Sequence, residues 1–314
     1  MPTPSVLALF GPTAVGKTAV AIAVARALRA AGRDPVAISA DAMQLYRGIE
    51  TLTGARDALD QDELEHRLVA VLPVTETCSA GRYARMAHAE IDAALDAGRL
   101  PIVVGGTGLY LRAALTELDL RPPAPAEVRR RLEEELERAG PAALHARLAA
   151  AAPWAAERIA PSDRSRLVRT LELHEVGALR PPDPDAPNRL WTEEVRHPTR
   201  LVGLVRDREE IRDRIERRID AMLAAGAADE VRAAEAAGAS ATARKAHGFL
   251  PLLAGDEDRM RRDTRRYVKR QLTWMRKLPG VQTVDLTGDP DLDEVAHRIA
   301  APWLPGRPTG GPTG

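Results

Sequence analysis

Apolar residues in this chain fall first in short runs and later in helical stripes. "SVLALF", starting at Ser5, ends at Gly11, and a helix-permissive stretch follows from Lys17 to Ala31, an order that reads strand, loop, helix. "DPVAIS", "RLVAVL" and "LPIVV" are further apolar runs, and an amphipathic stretch from Gly81 to Ala97 precedes the last of them. Short buried strands alternating with helices predict a mostly parallel sheet covered on both faces.

Beyond Leu118 the period changes. "LRPPAPAEV" interrupts the alternation with prolines, and the stretch after it sets Val128, Leu132 and Leu136 on one helical face. Arg129/Glu133, Arg130/Glu134 and Arg131/Glu135 have i,i+4 spacing, the pattern of an exposed, ion-paired helix. Helices continue to about Gly177, and "LRPPDPDAPNR" closes the segment with a second proline cluster. "RLVGLV" and "VQTVDL" then return to the strand pattern, with helices from Arg208 to Ala225 and from Asp256 to Lys277 between them. The expected organisation is an α/β core in residues 1–118 and 196–303, an all-helical insertion domain at 119–195, and a low-complexity disordered tail at 304–314.

Composition narrows the class of protein without naming a function. A chain of 314 residues has room for about two domains. Its 45 basic and 45 acidic side chains cancel, so any nucleic-acid surface has to be local. Cys78 is the only cysteine, which fits a reducing compartment. No leader pattern precedes Ser5, and no apolar run approaches the ~20 residues of a membrane span. The expectation is a cytoplasmic monomer with no membrane contact.

The chemistry starts between the first strand and the first helix. Gly11, Pro12, Thr13, Ala14, Val15, Gly16, Lys17 and Thr18 have the spacing of a P-loop. Its backbone N–H groups can cradle a diphosphate, Lys17 can neutralise it, and the Thr18 hydroxyl can ligate Mg²⁺. This makes the core P-loop NTPase-like, a parallel sheet flanked by helices, but leaves the reaction open. Asp41, just past "VAIS", stands where ligands bind in open α/β sheets, as a base, a Mg²⁺ ligand or a helix cap. "PIVVGGTGLY" ends a strand in Gly-Gly-Thr rather than in an acid, so Thr107 offers a hydrogen bond there, or caps the next helix. In "REEIRDRIERRIDAML", Ile211, Ile215 and Met222 form an apolar stripe. Arg218 falls within about 20° of Ile211 at ~100° per residue, whereas Arg217 points away. An arginine on a buried stripe meets an anion or snorkels at the core edge. Between Arg259 and Lys277 lie nine basic side chains and one acidic one, with Tyr267 and Trp274 among them, a candidate nucleic-acid surface or a solvated helix face.

Taken together, "GPTAVGKT", "ISADAMQLYRG", "GGTGLYLRAAL", "RLVRTLE" and "VKRQLTWMRKLPGV" resemble, in order, the motifs of the tRNA dimethylallyltransferases, from about Ser5 to Val284. The resemblance implies a P-loop that holds dimethylallyl diphosphate rather than ATP. It also implies transfer of the dimethylallyl group to N6 of the adenosine directly 3′ of the anticodon, flipped out of its loop. Asp41 would be the general base, Thr107 would orient the adenine, and Arg218 would steady the departing diphosphate with Lys17 and Mg²⁺ held by Thr18. The tRNA anticodon stem-loop would meet Asp41, Ala42, Met43, Gln44, Thr107, Arg129, Ser165, Arg166, Leu167, Val168 and Arg169. On the C-terminal side it would meet Lys245, Ala246, His247, Gly248, Phe249, Lys269, Arg270, Gln271, Trp274 and Arg276. The chain departs from the family pattern in "TLTGARD", which lacks a lysine, at Ala70 in place of an aspartate, and in "SAGRY" and "HGF".

The residues alone also admit a P-loop kinase of a small metabolite or nucleotide, with the insertion as a lid, and a non-catalytic RNA-binding protein with a degenerate P-loop. ATP turnover marks the first. A protein with no turnover to lose on Asp41→Ala marks the second.

Overall fold

The computed structural model describes residues 3–56, 62–121, 123–181, 183 and 189–305. Asp57 of "TLTGARD", parts of both proline clusters and residues 306–314 of the expected tail lie outside the described residues. The chain divides into two compact units, one of Met1–Leu118 with Arg189–Gly314 and one of Asp119–Asn188.

The larger unit is built on strands β1 (Val6–Phe10), β2 (Pro35–Ser39), β4 (His66–Arg67), β6 (Leu100–Gly105), β7 (Thr199–Val205) and β8 (Gln282–Asp285). They form one sheet in the order β4-β2-β6-β1-β7-β8, with every pairing parallel. A small parallel pair, β3 (Tyr46–Arg47) and β5 (Leu72–Pro73), lies beside it. All of β1 is buried, which explains its unbroken apolar run: neither face has water to meet. Leu7 and Leu9 share a core with Val20, Val24 and Leu28 of the helix Lys17–Ala30 and with Val295 and Ile299 of the helix Leu292–Ala300. Helices Ala80–Asp96 and Gly108–Leu115 pack against β6 as well. Phe10 sits level with Gly105 of β6 and Gly203 of β7, and Ser39 level with Val104. The carboxyl ends of four strands therefore open on one crevice, the usual ligand position in such sheets.

The run "RLVAVL" is not a strand. β4 stops at Arg67, Leu68 and Ala70 take left-handed φ of 59° and 50°, and β5 begins at Leu72. The segment peels away from β2 because the loop beyond Asp41 competes for it: Ala70 N–H donates to the Gln44 carbonyl at 2.8 Å and Leu72 N–H to Leu45 at 2.9 Å. Its apolar side chains Leu68 and Val69 are buried all the same.

The smaller unit is helical. Helix Ala126–Ala151 breaks at Gly140 (φ 80°), ahead of Pro141, and helix Arg164–Glu175 packs on it. Leu132, Leu136, Leu144, Leu148, Leu167 and Leu171 fill its core. Arg129–Glu133 (2.9 Å) and Arg130–Glu134 (2.5 Å) form as spaced. The third expected pair does not: Arg131 reaches Glu175 and Glu135 reaches Arg147, because the reversal at Gly140 supplies tertiary partners. The unit also ends at Asn188 rather than 195. Residues beyond it belong to the larger unit, where Arg112, 2% exposed, donates to the carbonyls of Arg189, Thr192 (2.9 Å) and Glu194 (3.3 Å).

Candidate functional site

Residues 11–18 join β1 to the helix Lys17–Ala30. Ala14 (φ 64°) and Gly16 (φ 109°) are left-handed, the alternation that turns successive N–H groups toward a common centre and makes an anion nest. Lys17 folds over this loop, with Nζ donating to the carbonyls of Gly11 (3.0 Å) and Pro12 (2.9 Å). Burial pushes its ammonium from 10.5 down to about 8, with Asp41 opposing the shift and Arg218 adding to it. A cationic side chain destabilised by its own surroundings is one that gains from an anion.

Two arginines of the helix Arg208–Ala224 meet the loop. Arg214 Nε donates to the Ala14 carbonyl at 2.8 Å. Arg218 lies against the turn at Gly54, so close that a Cβ there would sit 1.7 Å from its Nη2. The residue at that turn has to be glycine for the guanidinium to lie where it does. Arg218 follows from the helical stripe; Arg214 was missed, although it stands one turn earlier on the same face. The stripe itself runs Ile211, Ile215 and Ile219, all buried, while Met222 faces the cavity.

Beyond β2, Asp41 Oδ1 accepts the Met43 N–H at 3.0 Å, so the carboxylate caps its own turn while lining the cavity. Thr107 does not line it. Its hydroxyl accepts the Ala42 N–H (3.4 Å) and shares a hydrogen bond with the Tyr267 hydroxyl (3.2 Å), tying the Asp41 turn to the basic helix Glu257–Lys277. His247 stacks on Tyr267 with ring centroids 3.9 Å apart, and Arg270 lies over the other partner of that stack at 5.4 Å. Burial and then Arg270 lower the His247 pKa below 6.5, so the imidazole is neutral at pH 7. Burial, with Asp41 nearby, raises that of Tyr267.

These groups enclose a cavity of about 290 Å³ lined by Lys17, Thr18, Asp41, Arg214 and Arg218 and by an apolar wall of Leu52, Ile215, Ile219, Met222 and Met260. That is near the lower end of the roughly 300–1,000 Å³ of small-molecule sites. Cations and a phosphate loop beside an apolar wall suit a small apolar group carrying a phosphate-type anion. For Mg²⁺, the Thr18 hydroxyl fits a cation that keeps most of its waters and shares phosphate oxygens. Among the described residues no group of three or more His, Cys, Asp or Glu offers another metal site.

The basic helix has two faces. Thr264, Tyr267 and Gln271 face this cavity, with Met43, Gln44 and His247 also in its lining; Lys269 and Arg276 line a separate groove of about 920 Å³ with Arg208 and Arg212. Trp274 packs against Gly108 and Trp191, ring centroids 4.8 Å apart in the second pair. The charge run is also less free than it reads: Arg261 bonds Glu216 (2.8 Å) and Asp220 (2.6 Å), and Arg265 bonds Glu216 (2.6 Å). Several expected RNA contacts have no side chain to offer, since Leu167, Val168, Ala246, Phe249 and Gln271 are buried. In the helical unit Ser165 and Arg166 are exposed, whereas Arg129 (2.9 Å) and Arg169 (3.2 Å) both bond Glu172, itself 1% exposed.

A phosphate-loop turn at the crevice of a parallel sheet, with a carboxylate and two arginines lining one partly apolar cavity, defines a P-loop α/β protein whose cavity suits a small anion. Within that class the chain belongs to the IPP transferase family, whose model matches residues 44–278. It is 42% identical over 308 residues to the tRNA dimethylallyltransferase of Thermobifida fusca, covering 94% of each chain. It is 41% identical over 307 residues to that of Streptomyces avermitilis, covering 93% and 95%. Among solved structures it is similar to a tRNA isopentenylpyrophosphate transferase from Bacillus halodurans (TM-score 0.66, 30% identity, 95% and 96% covered). A eukaryotic dimethylallyltransferase acting on tRNA shares the fold (TM-score 0.69, 23% identity, 94% and 78% covered).

Proposed function

We propose that the protein transfers the dimethylallyl group of dimethylallyl diphosphate to N6 of the tRNA adenosine directly 3′ of the anticodon, releasing diphosphate. The observation that carries this reading is one cavity in which a P-loop lysine and Arg218 share an apolar wall with Asp41. The relatives named tRNA dimethylallyltransferase, matched over nearly their full length, support it.

The residues divide the work. The loop N–H groups, Lys17 and Arg218 take up the charge that develops on the diphosphate as the allylic C–O bond breaks. Leu52, Met222 and Met260 hold the allyl chain and exclude water from its cationic carbon. The adenine amine forms the new N–C bond. Its lone pair is delocalised into the ring, so Asp41 assists by accepting the proton that leaves nitrogen. Thr107, already bonded to the Ala42 N–H and the Tyr267 hydroxyl, fixes the turn that presents Asp41 and would orient the adenine by exchanging one of those bonds. The Thr18 hydroxyl, which lines the cavity, would hold Mg²⁺, and that ion would supply neutralising charge to the leaving group. Exposed Ser165, Arg166, Lys245, Lys269, Arg270 and Arg276 are expected contacts that can reach RNA phosphates in the cytoplasm.

The test is direct. Purified protein, dimethylallyl diphosphate, Mg²⁺ and unmodified tRNA should yield isopentenyladenosine, detected by mass after nuclease digestion. Absence of product with every tRNA carrying adenosine at that site, or ATP turnover in its place, overturns the reading.

A further inference from the structure

Gln271 sits on the helix whose neighbours Lys269 and Arg270 are exposed, yet it is 3% exposed itself, and both ends of its amide are used. Oε1 accepts the Thr13 N–H of the phosphate loop at 2.9 Å. Nε2 donates to the Gly106 carbonyl at 2.8 Å. These partners fix which way the amide points, since a flip would set donor against donor and acceptor against acceptor. The Gly106 turn is closed over the amide: a Cβ there would sit 2.3 Å from Nε2. The turn and the loop also meet at a long backbone bond, Gly11 N–H to the Gly105 carbonyl at 3.3 Å.

The bridge reaches further than its two bonds. Thr13 directly precedes Ala14, the first left-handed residue of the phosphate loop, while Gly106 directly precedes Thr107, whose hydroxyl holds the turn carrying Asp41. One side chain thus connects the segment that would bind the leaving group to the segment that would present the base. An amide can do this where a charged or hydroxyl group cannot, because it offers a donor and an acceptor at one planar end without adding charge beside Lys17.

Resting on the reading that the loop holds the donor's diphosphate, we propose that Gln271 is a positioning residue that sets the phosphate loop against the Gly106–Thr107 turn, and is not an RNA contact. It acts through Thr13 and Gly106. Holding the loop in its binding shape before the donor arrives lowers the cost of binding and keeps the allylic carbon in line with the amine.

The experiment compares the wild-type protein with Gln271→Leu, which fills the space without bonding, and Gln271→Glu, which keeps the shape but sets an acceptor against the Gly106 carbonyl. Three quantities are measured: the Kd of inorganic pyrophosphate in the presence of Mg²⁺, the Kd of an unmodified anticodon stem-loop RNA, and steady-state prenyl transfer. Both variants should weaken pyrophosphate binding on the order of tenfold, with a matching rise in KM for the donor and a fall in kcat, because buried partners are left unsatisfied. RNA affinity should stay within about twofold of wild type. The proposal is overturned if RNA affinity falls while pyrophosphate affinity holds, if both fall alike, or if neither changes. Thermal melting confirms that each variant is folded, and the Glu variant carries the test if the Leu variant is not. Pyrophosphate binding needs no prenyl transfer, so a wild-type protein that binds it without making product would sink the proposed function and leave the role of Gln271 standing.

Discussion

Replacing Lys17 with methionine should stabilise the unliganded protein while removing its hold on the donor. In the folded protein the ammonium titrates at about 8 rather than 10.5, chiefly because it is buried. That difference corresponds to roughly 3 kcal/mol of cost carried at pH 7. Against it stand the two carbonyl contacts, Gly11 and Pro12, each contributing about 1 kcal/mol that methionine forfeits. The net gain at pH 7 is about 1 kcal/mol, or a rise in Tm of roughly 2–4 °C for a unit of this size.

The pH dependence is the sharper measurement. Between pH 8 and 10.5 the unfolded chain still binds the proton that the folded chain has released, so wild-type stability rises with pH through that window. Lys17→Met has no such proton. Its advantage at pH 7 should therefore shrink on going to pH 10 and reverse, since the lost hydrogen bonds remain lost. Calorimetry at both pH values, with the helical unit unchanged as background, reads the effect. A variant less stable than wild type at pH 7, or a difference that does not move with pH, refutes the account of a lysine buried at a cost. With pyrophosphate and Mg²⁺ added, wild-type Tm should rise and that of the variant should not.

Other expectations follow from the same site. Asp41→Asn should lower kcat by roughly 10²–10⁴-fold with diphosphate and RNA affinities nearly unchanged, as rapid-quench turnover beside equilibrium binding would show. Gly54→Ala should displace the Arg218 guanidinium, whose Nη2 would lie 1.7 Å from the new Cβ, and lower kcat and kcat/KM together, on the order of tenfold or more. Glu172→Gln should weaken the anchoring of Arg129 and Arg169 and destabilise the helical unit by about 1–3 kcal/mol, read from a denaturant midpoint.

How much of this was legible in sequence depended on how local each cause is. The strand, phosphate loop and helix from Val6 to Ala30 were readable because a fully buried strand needs an apolar run and the loop needs its glycines, all within one stretch of chain. The helix at Leu292–Ala300 carried a readable signal, Asp291 capping it and Val295 and Ile299 on its buried face, yet it is too short to dominate a pattern. "RLVAVL" misled because its apolarity records burial, and burial came from the Gln44–Leu45 loop rather than from a sheet neighbour. Arg218 announced itself through helical period alone. Arg214 shares that helical face, but its partner is Ala14, 200 positions away, and Gln271 had no such signal, since its meaning lies in Thr13, 258 positions away in the chain. The basic helix shows the general difficulty. Nine cations read as one surface, but the fold spends two of them on Glu216 and Asp220 and gives the remainder to more than one face. Its chemically decisive position is a neutral residue between them. A charge count finds where an anion can approach; which residue shapes the cradle is decided by the buried hydrogen bonds, and those belong to the tertiary structure.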